Sequence, residues 1–198
     1  MSSSTPRTPN VLLPVVPLKD SCLFPEASLT TLVNAIGTLR AIELAERSGG
    51  RLLTVQVREN SRELLPVGTL AQIRESLALE DGGRRLELDG LSRGRVASVV
   101  GSDTLVAEFE ALDEGDEGDD WGPAVEALAR YLHAHPDLRS FVDQQRRSSQ
   151  PMSWVNLACQ HLPIAASARQ KLLEASAAER CRKIARGLDA LLRKEKGD

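Results

Sequence analysis

Aromatic residues are scarce in this chain, with three Phe, two Trp and one Tyr among its 198 residues. The core must therefore be built mainly from Leu, Val, Ile and Ala. Recognition of RNA or single-stranded nucleic acid generally combines basic residues with stacking aromatics, so the scarcity of aromatics also weighs against that class of function.

Cysteines and long apolar runs are also few. Cys22, Cys159 and Cys181 are odd in number and far apart, which argues against a disulfide framework and predicts free, buried thiols. No apolar run approaches the roughly 18 residues that a membrane-spanning helix needs. The polar residues 1–10 lack the apolar core of a secretory signal. We therefore expect a disordered leader at 1–10 and a cytoplasmic location.

The motifs of several enzyme classes are absent. A P-loop requires a Gly-Lys pair, and none occurs in the chain. His133 and His135 would point about 200° apart on a helix, which is poor geometry for a zinc ion, even with Cys159 and His161 as further ligands. A nucleophilic Cys22 would need a base and an orienting group, for which the sequence shows no pattern. We predict no catalytic, cofactor-binding or metal site.

Charge is segmented along the chain although the net charge is only −3. Residues 1–112 carry 12 basic and 14 acidic side chains, and residues 113–120 carry six acidic and no basic ones. Residues 121–198 carry 13 basic and 8 acidic side chains. Because the acidic run falls where the secondary-structure pattern changes, we predict a β domain at 11–112, an acidic linker at 113–120 and a helical bundle at 121–198.

The first part of the predicted β domain contains three apolar runs. The run at 11–18 has prolines at its fourth and seventh positions, which predicts an edge strand or a bulge. Residues 29–33 predict a second strand, and the mostly apolar 52–57 predict a central one. Between these two, residues 38–47 have the apolar spacing of a helix that stops at a Gly-Gly pair.

The second part has the clearest strand signals. Asp-Gly-Gly at 81–83 separates two alternating runs and predicts a hairpin turn. Residues 86–91, 96–100 and 104–109 predict further strands. Six or seven short strands with one helix predict a small, partly open β-barrel.

Residues 121–198 change to a helical period. Pro136 ends a first helix and Pro151 begins a third, while Ser176 and Glu179 have the spacing of a capping box for the last one. Four or five short helices, each with one apolar stripe, predict a bundle. The fold class is therefore α+β, a barrel followed by a helical bundle.

Four motifs in order carry a family resemblance. Leu-Pro-Val-Val-Pro-Leu-Lys-Asp at 13–20 and Leu-Phe-Pro at 23–25 match an opening of the form Leu-Pro-x-x-Pro-Leu-(Arg/Lys)-Asp and an aromatic-Pro step. Residues 67–73 are the second motif, and 88–96 come close to Glu-Gly-Leu-x-Arg-x-Arg. Residues 161–174 contain the fourth. In these motifs the chain resembles the amino-terminal, substrate-recognition domain of Lon-type ATP-dependent proteases.

The resemblance implies a PUA-like barrel with a helical subdomain and a non-catalytic role. Such a module would capture unfolded or tagged polypeptides, as an adaptor or regulator of proteolysis with a Lon-type protease as a partner. The family's Ser–Lys protease chemistry belongs to a carboxy-terminal domain for which this sequence has no counterpart. The polypeptide-binding surface would lie at the first hairpin, around Leu23, Phe24, Pro25 and Leu29, with the groove that faces the helices. The family often has Gly or His after the proline, where this chain has Glu26. We therefore expect this chain to bind client polypeptides with a different strength or in a different way.

A second candidate surface is basic. Arg180, Arg182, Lys183 and Arg186 could contact an acidic partner or the acidic run at 113–120, although a charge run is usually a solvated helix face.

The alternative function is a PUA-like RNA-binding module, because Arg93 and Arg95 alternate on one strand face. Solvation, or ion pairs to Glu87 and Asp89, explains these arginines better. The two tryptophans, Trp121 and Trp154, are expected to anchor the core or the hinge.

Overall fold

The computed structural model of the protein describes residues 11–59, 61–113, 121–145, 150–195 and 197. Its elements in chain order are β1 (Val11–Leu18), β2 (Ser28–Val33), α1 (Ile36–Arg47), β3 (Arg51–Gln56), β4 (Val67–Ala78), β5 (Arg84–Val100), β6 (Val106–Ala111), α2 (Gly122–Ala134), α3 (Pro136–Gln145), α4 (Pro151–His161), α5 (Ala166–Glu174) and α6 (Ala177–Glu195). The predicted α+β class is confirmed, with one helix among the strands and five helices after them in the described residues. Apart from Asp113, the predicted acidic linker lies outside the described residues, as does the leader at 1–10.

The strands follow the order β2-β5-β4-β3-β1-β6, and β5 also pairs with β6. Five strands therefore close into a ring, and β2 lies outside it beside the first half of β5. This is the expected small, partly open barrel. Residues 84–100 form one 17-residue strand where the pattern predicted two. Beside β4, this strand pairs with β2 through residues 84–89 and with β6 through residues 94–100, and a register shift between Val96 and Val99 interrupts the second ladder.

The predicted edge position of β1 is wrong. This strand pairs antiparallel with β6 through residues 11–14 and parallel with β3 through residues 15–18. Because each half of β1 pairs with a different strand, Pro14 and Pro17 each have a single partner strand. The nitrogen of each proline, which carries no hydrogen, can lie on the side away from that partner. β3 lies between β4 and β1, which confirms its predicted central place.

The predicted hairpin at 81–83 joins β4 to β5, which pair antiparallel. Gly82 has a φ of 81°, which a side chain would disfavour, and the Gly83 N–H donates to Asp81 Oδ1 at 2.9 Å. The capping box at the start of α6 is half formed. The Glu179 N–H donates to Ser176 Oγ at 3.3 Å, while the Glu179 carboxylate pairs with Lys183.

One aliphatic core joins the barrel to the bundle. It runs from Leu86 and Leu88 of the barrel to Leu128, Leu157 and Leu188 of the bundle, all of them at most 2% exposed. A smaller cluster fills the other side of the barrel and contains Val15, Leu53, Val55 and Ala107. The two halves of the chain thus share their main core and do not fold around separate ones.

A tight turn leads into β2. The Ala27 N–H donates to Phe24 O at 3.2 Å, with Pro25 and Glu26 at the centre of the turn, and Glu26 has a φ of 60°. This matches a type II turn, whose third position favours Gly because an L side chain is strained there. The Glu26 N–H then donates to Gly90 O and the Gly90 N–H to Ala27 O, both at 2.9 Å. Glu26 is therefore the extra residue of a β-bulge.

Glu26→Gly should stabilise the fold. Glycine removes the left-handed strain at this position, and we expect the free energy of unfolding to rise by about 1 kcal/mol. Urea denaturation followed by circular dichroism measures it. The control is Glu43→Gly inside α1, where glycine should cost about 1 kcal/mol. A loss of stability in both variants would show that the turn at residue 26 is not strained.

Candidate functional site

The first predicted site segment is buried between barrel and bundle. Leu23 and Phe24 are 1% and 0% exposed, Pro25 is buried as well, and Leu29 is half-buried against the core. The Phe24 N–H donates to Gln160 Oε1 of α4 at 3.0 Å. The bundle therefore covers residues 23–25, and the predicted polypeptide binding at the first hairpin stays a prediction. Residues 23–25 hold the two halves of the molecule together.

We call the contact between barrel and bundle around residues 23–25 the joint. Arg180 of α6 lies at its centre and is 0% exposed. Its guanidinium donates to Asn156 Oδ1 at 2.7 Å, Leu172 O at 2.9 Å and Ala175 O at 3.3 Å. Its Cζ lies 5.8 Å from the centre of the Phe24 ring. Several acceptors and an aromatic face together compensate the loss of hydration of a buried cation. Arg180 is thus a structural cation and not part of a basic surface.

The rest of the predicted basic surface is exposed on α6. Arg182, Lys183 and Arg186 lie at the solvent side of the helix. Lys183 Nζ lies 2.8 Å from Glu179 Oε1, one turn earlier, and this contact lowers the pKa of that carboxyl. These residues have the arrangement of a solvated helix face.

Arg93 also departs from expectation. It is 4% exposed, and its guanidinium donates to Leu173 O at 3.3 Å and to Asp113 O at 2.9 Å. The expected solvation is wrong for this arginine, because β5 turns it toward the bundle, and its expected ion pairs to Glu87 and Asp89 stay a prediction. Those two carboxylates lie 3.7 and 3.8 Å from the guanidinium of another arginine, Arg74.

A groove of about 1100 Å³ lies beside the joint. The barrel contributes the ends of β1 and β3 and the loop after β3, and the bundle contributes α5. Gln56 is 7% exposed and lines the groove, and its Oε1 has no hydrogen-bond partner among the described residues. The charged lining residues are Lys19, Arg58, Arg62 and Lys171 against Asp20, Glu59 and Glu174. Because basic and acidic side chains are mixed in its lining, the groove does not favour binding of the phosphate backbone of a nucleic acid.

Large aliphatic side chains are exposed on the outer face of the sheet, which the sequence analysis did not predict. Leu32 of β2 lies opposite Arg85 of β5, and Arg85 lies opposite Leu77 of β4. Leu32 is 71% exposed and Leu77 is 43% exposed. Directly opposed residues share a face of a sheet, so the two leucines flank the aliphatic stem of Arg85. We call Leu32, Leu77 and Arg85 the outer sheet patch.

A bulge in β4 explains why this patch escaped prediction. By simple alternation, Leu77 would share a face with Ile73, which packs against the core. The register shift between Ile73 and Glu75 inserts one extra residue and moves the later residues to the opposite faces. Leu77 consequently lies outside, while Ser76 lies opposite the buried Leu86.

The three cysteines are buried and none of them forms a disulfide, as predicted. Burial raises the pKa of the Cys22 thiol to about 12 and also raises that of Cys159. Cys22 Sγ donates to Gln170 Oε1 at 3.7 Å. Since the thiolate is the reactive form, these groups are poor nucleophiles near neutral pH.

The histidines and tryptophans have ordinary structural surroundings. His135 stacks on Tyr131 at 4.2 Å, and its Nε2 lies 3.2 Å from Glu195 Oε2. Trp121 and Trp154 are half-buried against the core, as expected of anchors. In the described part of the chain, no group of three or more His, Cys, Asp or Glu could hold a metal ion, and no helix is long and apolar enough to cross a membrane.

Solved structures share this arrangement. The N-terminal domain of the Mycobacterium avium complex Lon protease has a TM-score of 0.77 at 18% identity and covers 90% of this chain and 98% of its own. A Lon N-terminal domain protein from Xanthomonas campestris has a TM-score of 0.65 at 21% identity, covering 88% and 96%. The protein therefore has the fold of Lon N-terminal domains.

Sequence comparison identifies the family. The model of the ATP-dependent protease La (LON) substrate-binding domain matches residues 12–190. Lon protease of Xanthomonas oryzae pv. oryzae is 36% identical over 135 residues, 63% of this chain and 15% of that protein. Lon protease 1 of Thermus thermophilus is 29% identical over 197 residues, 91% and 24% respectively. The chain belongs to the Lon substrate-binding domain family and spans 15% to 24% of these curated relatives.

Arg180→Ala should destabilise the protein strongly. The change removes the cation over Phe24 and leaves buried acceptors such as Asn156 Oδ1 unpaired, so we expect a loss of about 3 to 5 kcal/mol in the free energy of unfolding. Urea denaturation checks the loss. The exposed neighbour Arg182→Ala is the control and should change stability by less than about 0.5 kcal/mol. Equal losses of stability in the two variants would contradict a central structural role for Arg180 in the joint.

Stability should also decline in alkaline solution. The Cys22 thiol has a pKa near 9.0 when exposed in the unfolded chain and about 12 in the folded protein. Between these values the unfolded chain releases the proton and the folded protein keeps it, so the free energy of unfolding is highest below pH 9 and falls toward pH 12. Urea titrations across this range measure the slope. Cys22→Ala should make this slope shallower, with Cys159 still contributing to it, and an unchanged slope would contradict the contribution of the Cys22 thiol.

Proposed function

We propose that this protein is a non-catalytic module that binds exposed segments of other polypeptides. The observation that carries the proposal is the match of residues 12–190 to a Lon substrate-binding domain. The outer sheet patch supports it, because exposed leucines flanking an arginine stem offer apolar contact area that an unfolded segment can cover.

We further propose that the module serves ATP-dependent proteolysis. As an adaptor or regulator it would deliver clients to a Lon-type protease, the class of protein to which its curated relatives belong. The rigid joint supports this role, since buried hydrogen bonds between barrel and bundle keep a bound client at a fixed position relative to α6.

The charge distribution does not favour the RNA-binding alternative. Two of the arginines that suggested a basic surface, Arg93 and Arg180, are buried and bonded within the joint. They are not available to phosphates, and the groove beside them is of mixed sign.

The proposal predicts binding of a reduced, carboxymethylated protein that stays unfolded, followed by fluorescence anisotropy. Because apolar contacts dominate, the affinity should change little between about 50 and 300 mM salt. The folded form of the same protein should not bind. Affinity only for RNA, with a steep decline as salt rises, would overturn the proposal.

The double variant Leu32→Ser and Leu77→Ser should weaken this binding about tenfold, because it removes the apolar contact area of the patch. Leu12→Ser is the matched control, since Leu12 is 57% exposed but lies on β1, which pairs with neither β2 nor β4. Equal loss in both variants would show that the outer sheet patch is not the site of contact.

A further inference from the structure

The second strand has an open hydrogen-bonding edge. Among the described residues, β2 pairs with β5 alone and ends the strand order on that side. Backbone N–H and C=O groups along such an edge have no strand partner, and they template the pairing of another extended segment.

The ladder shows which residues of β2 face this edge. The Gly90 N–H donates to Ala27 O, so residues 27 and 90 form a hydrogen-bonded pair. Hydrogen-bonded pairs recur every second residue in an antiparallel ladder, which directs the backbone groups of residues 29, 31 and 33 toward β5. The carbonyl of Val33 lies against Gly83 at the start of β5, as this alternation requires. The backbone groups of Thr30 and Leu32 therefore point outward.

This edge lacks two of the features that natural proteins use to protect edge strands. Its sequence, Ser-Leu-Thr-Thr-Leu-Val, contains no charged residue and no proline. The Thr30 and Leu32 side chains are exposed, and Leu32 also belongs to the outer sheet patch. An added strand would bring every second side chain beside these two, in continuity with the apolar surface.

We infer that β2 captures a client as an extended strand paired along its outer edge. The inference rests on the proposed function and specifies its binding mode. Main-chain hydrogen bonds to Thr30 and Leu32 provide affinity that is largely independent of client sequence, and apolar side chains at alternate client positions contact Leu32. A folded protein presents no free extended backbone, so this mode selects unfolded segments.

Hydrogen exchange in the wild-type chain tests the inference residue by residue. The probe is an acetylated and amidated octapeptide of alternating Val and Thr. The amides of Thr30 and Leu32 should exchange quickly in the free protein and slow about tenfold or more with the probe, while those of Thr31 and Val33 are slow throughout. Unchanged exchange at Thr30 and Leu32 in the presence of bound probe would overturn the inference.

Thr30→Pro provides the matching variant. Proline is tolerated where an edge N–H faces solvent, so the fold should persist while probe affinity falls about tenfold. Thr31→Pro is the control, since its N–H points toward β5 and the variant should lose the β2–β5 pairing. If Thr30→Pro itself unfolds, probes that are N-methylated at alternate residues replace it. One methylated set should abolish binding and the other preserve it, and equal behaviour of the two sets would refute strand addition.

The outcomes separate this inference from the proposed function. Binding of the unfolded protein that survives Thr30→Pro would retain the function and reject the binding mode. Absence of binding to both the unfolded protein and the octapeptide would reject the function itself. Protection of Thr30 in the protein alone, rising with its concentration, would assign the edge to a second copy of this chain.

Discussion

The burial of the Arg180 guanidinium against Phe24 is the interaction on which the arrangement of the two halves depends. The hydrogen bonds of Arg180 end on α4, on the last turn of α5 and on Ala175 after it, while the aromatic ring belongs to the barrel. Separating the halves would take the Phe24 ring away from this buried cation and would break the hydrogen bonds that Gln160, Gln170 and Arg93 make between barrel and bundle. The barrel and the bundle consequently hold one relative position.

The segment that the family motif singles out, 23–25, is used in the joint. The surface that we propose for a client is the outer sheet with the edge of β2. A strand that lies outside a closed ring keeps one side without a strand partner, whereas the ring strands are paired through their neighbours. Glu26 holds a left-handed conformation at the entry to that strand, and this bulge sets the register that directs Thr30 outward.

Patterns local in the chain were the ones that sequence reasoning predicted correctly. The turn at 81–83, the proline-bounded helices and the cysteines without disulfides each depend on neighbouring residues or on simple counts. Leu77 was missed because the bulge at residue 74 inverts the faces of β4, and no period of two reveals such an inversion. Arg180 was misplaced for a different reason: its position on α6 is equally compatible with an exposed charge run, and only its partners distinguish the two environments.

The sequence by itself determined the α+β order of elements, the aliphatic composition of the core and the family to which the chain belongs. Tertiary structure alone decided which residues the docking of the two halves would bury. Phe24 and Gln160, which meet at 3.0 Å, are 136 positions apart, and their contact depends on the simultaneous fit of both halves. Local periodicity reports which face of an element is apolar, but not which polar groups find partners when that face is covered.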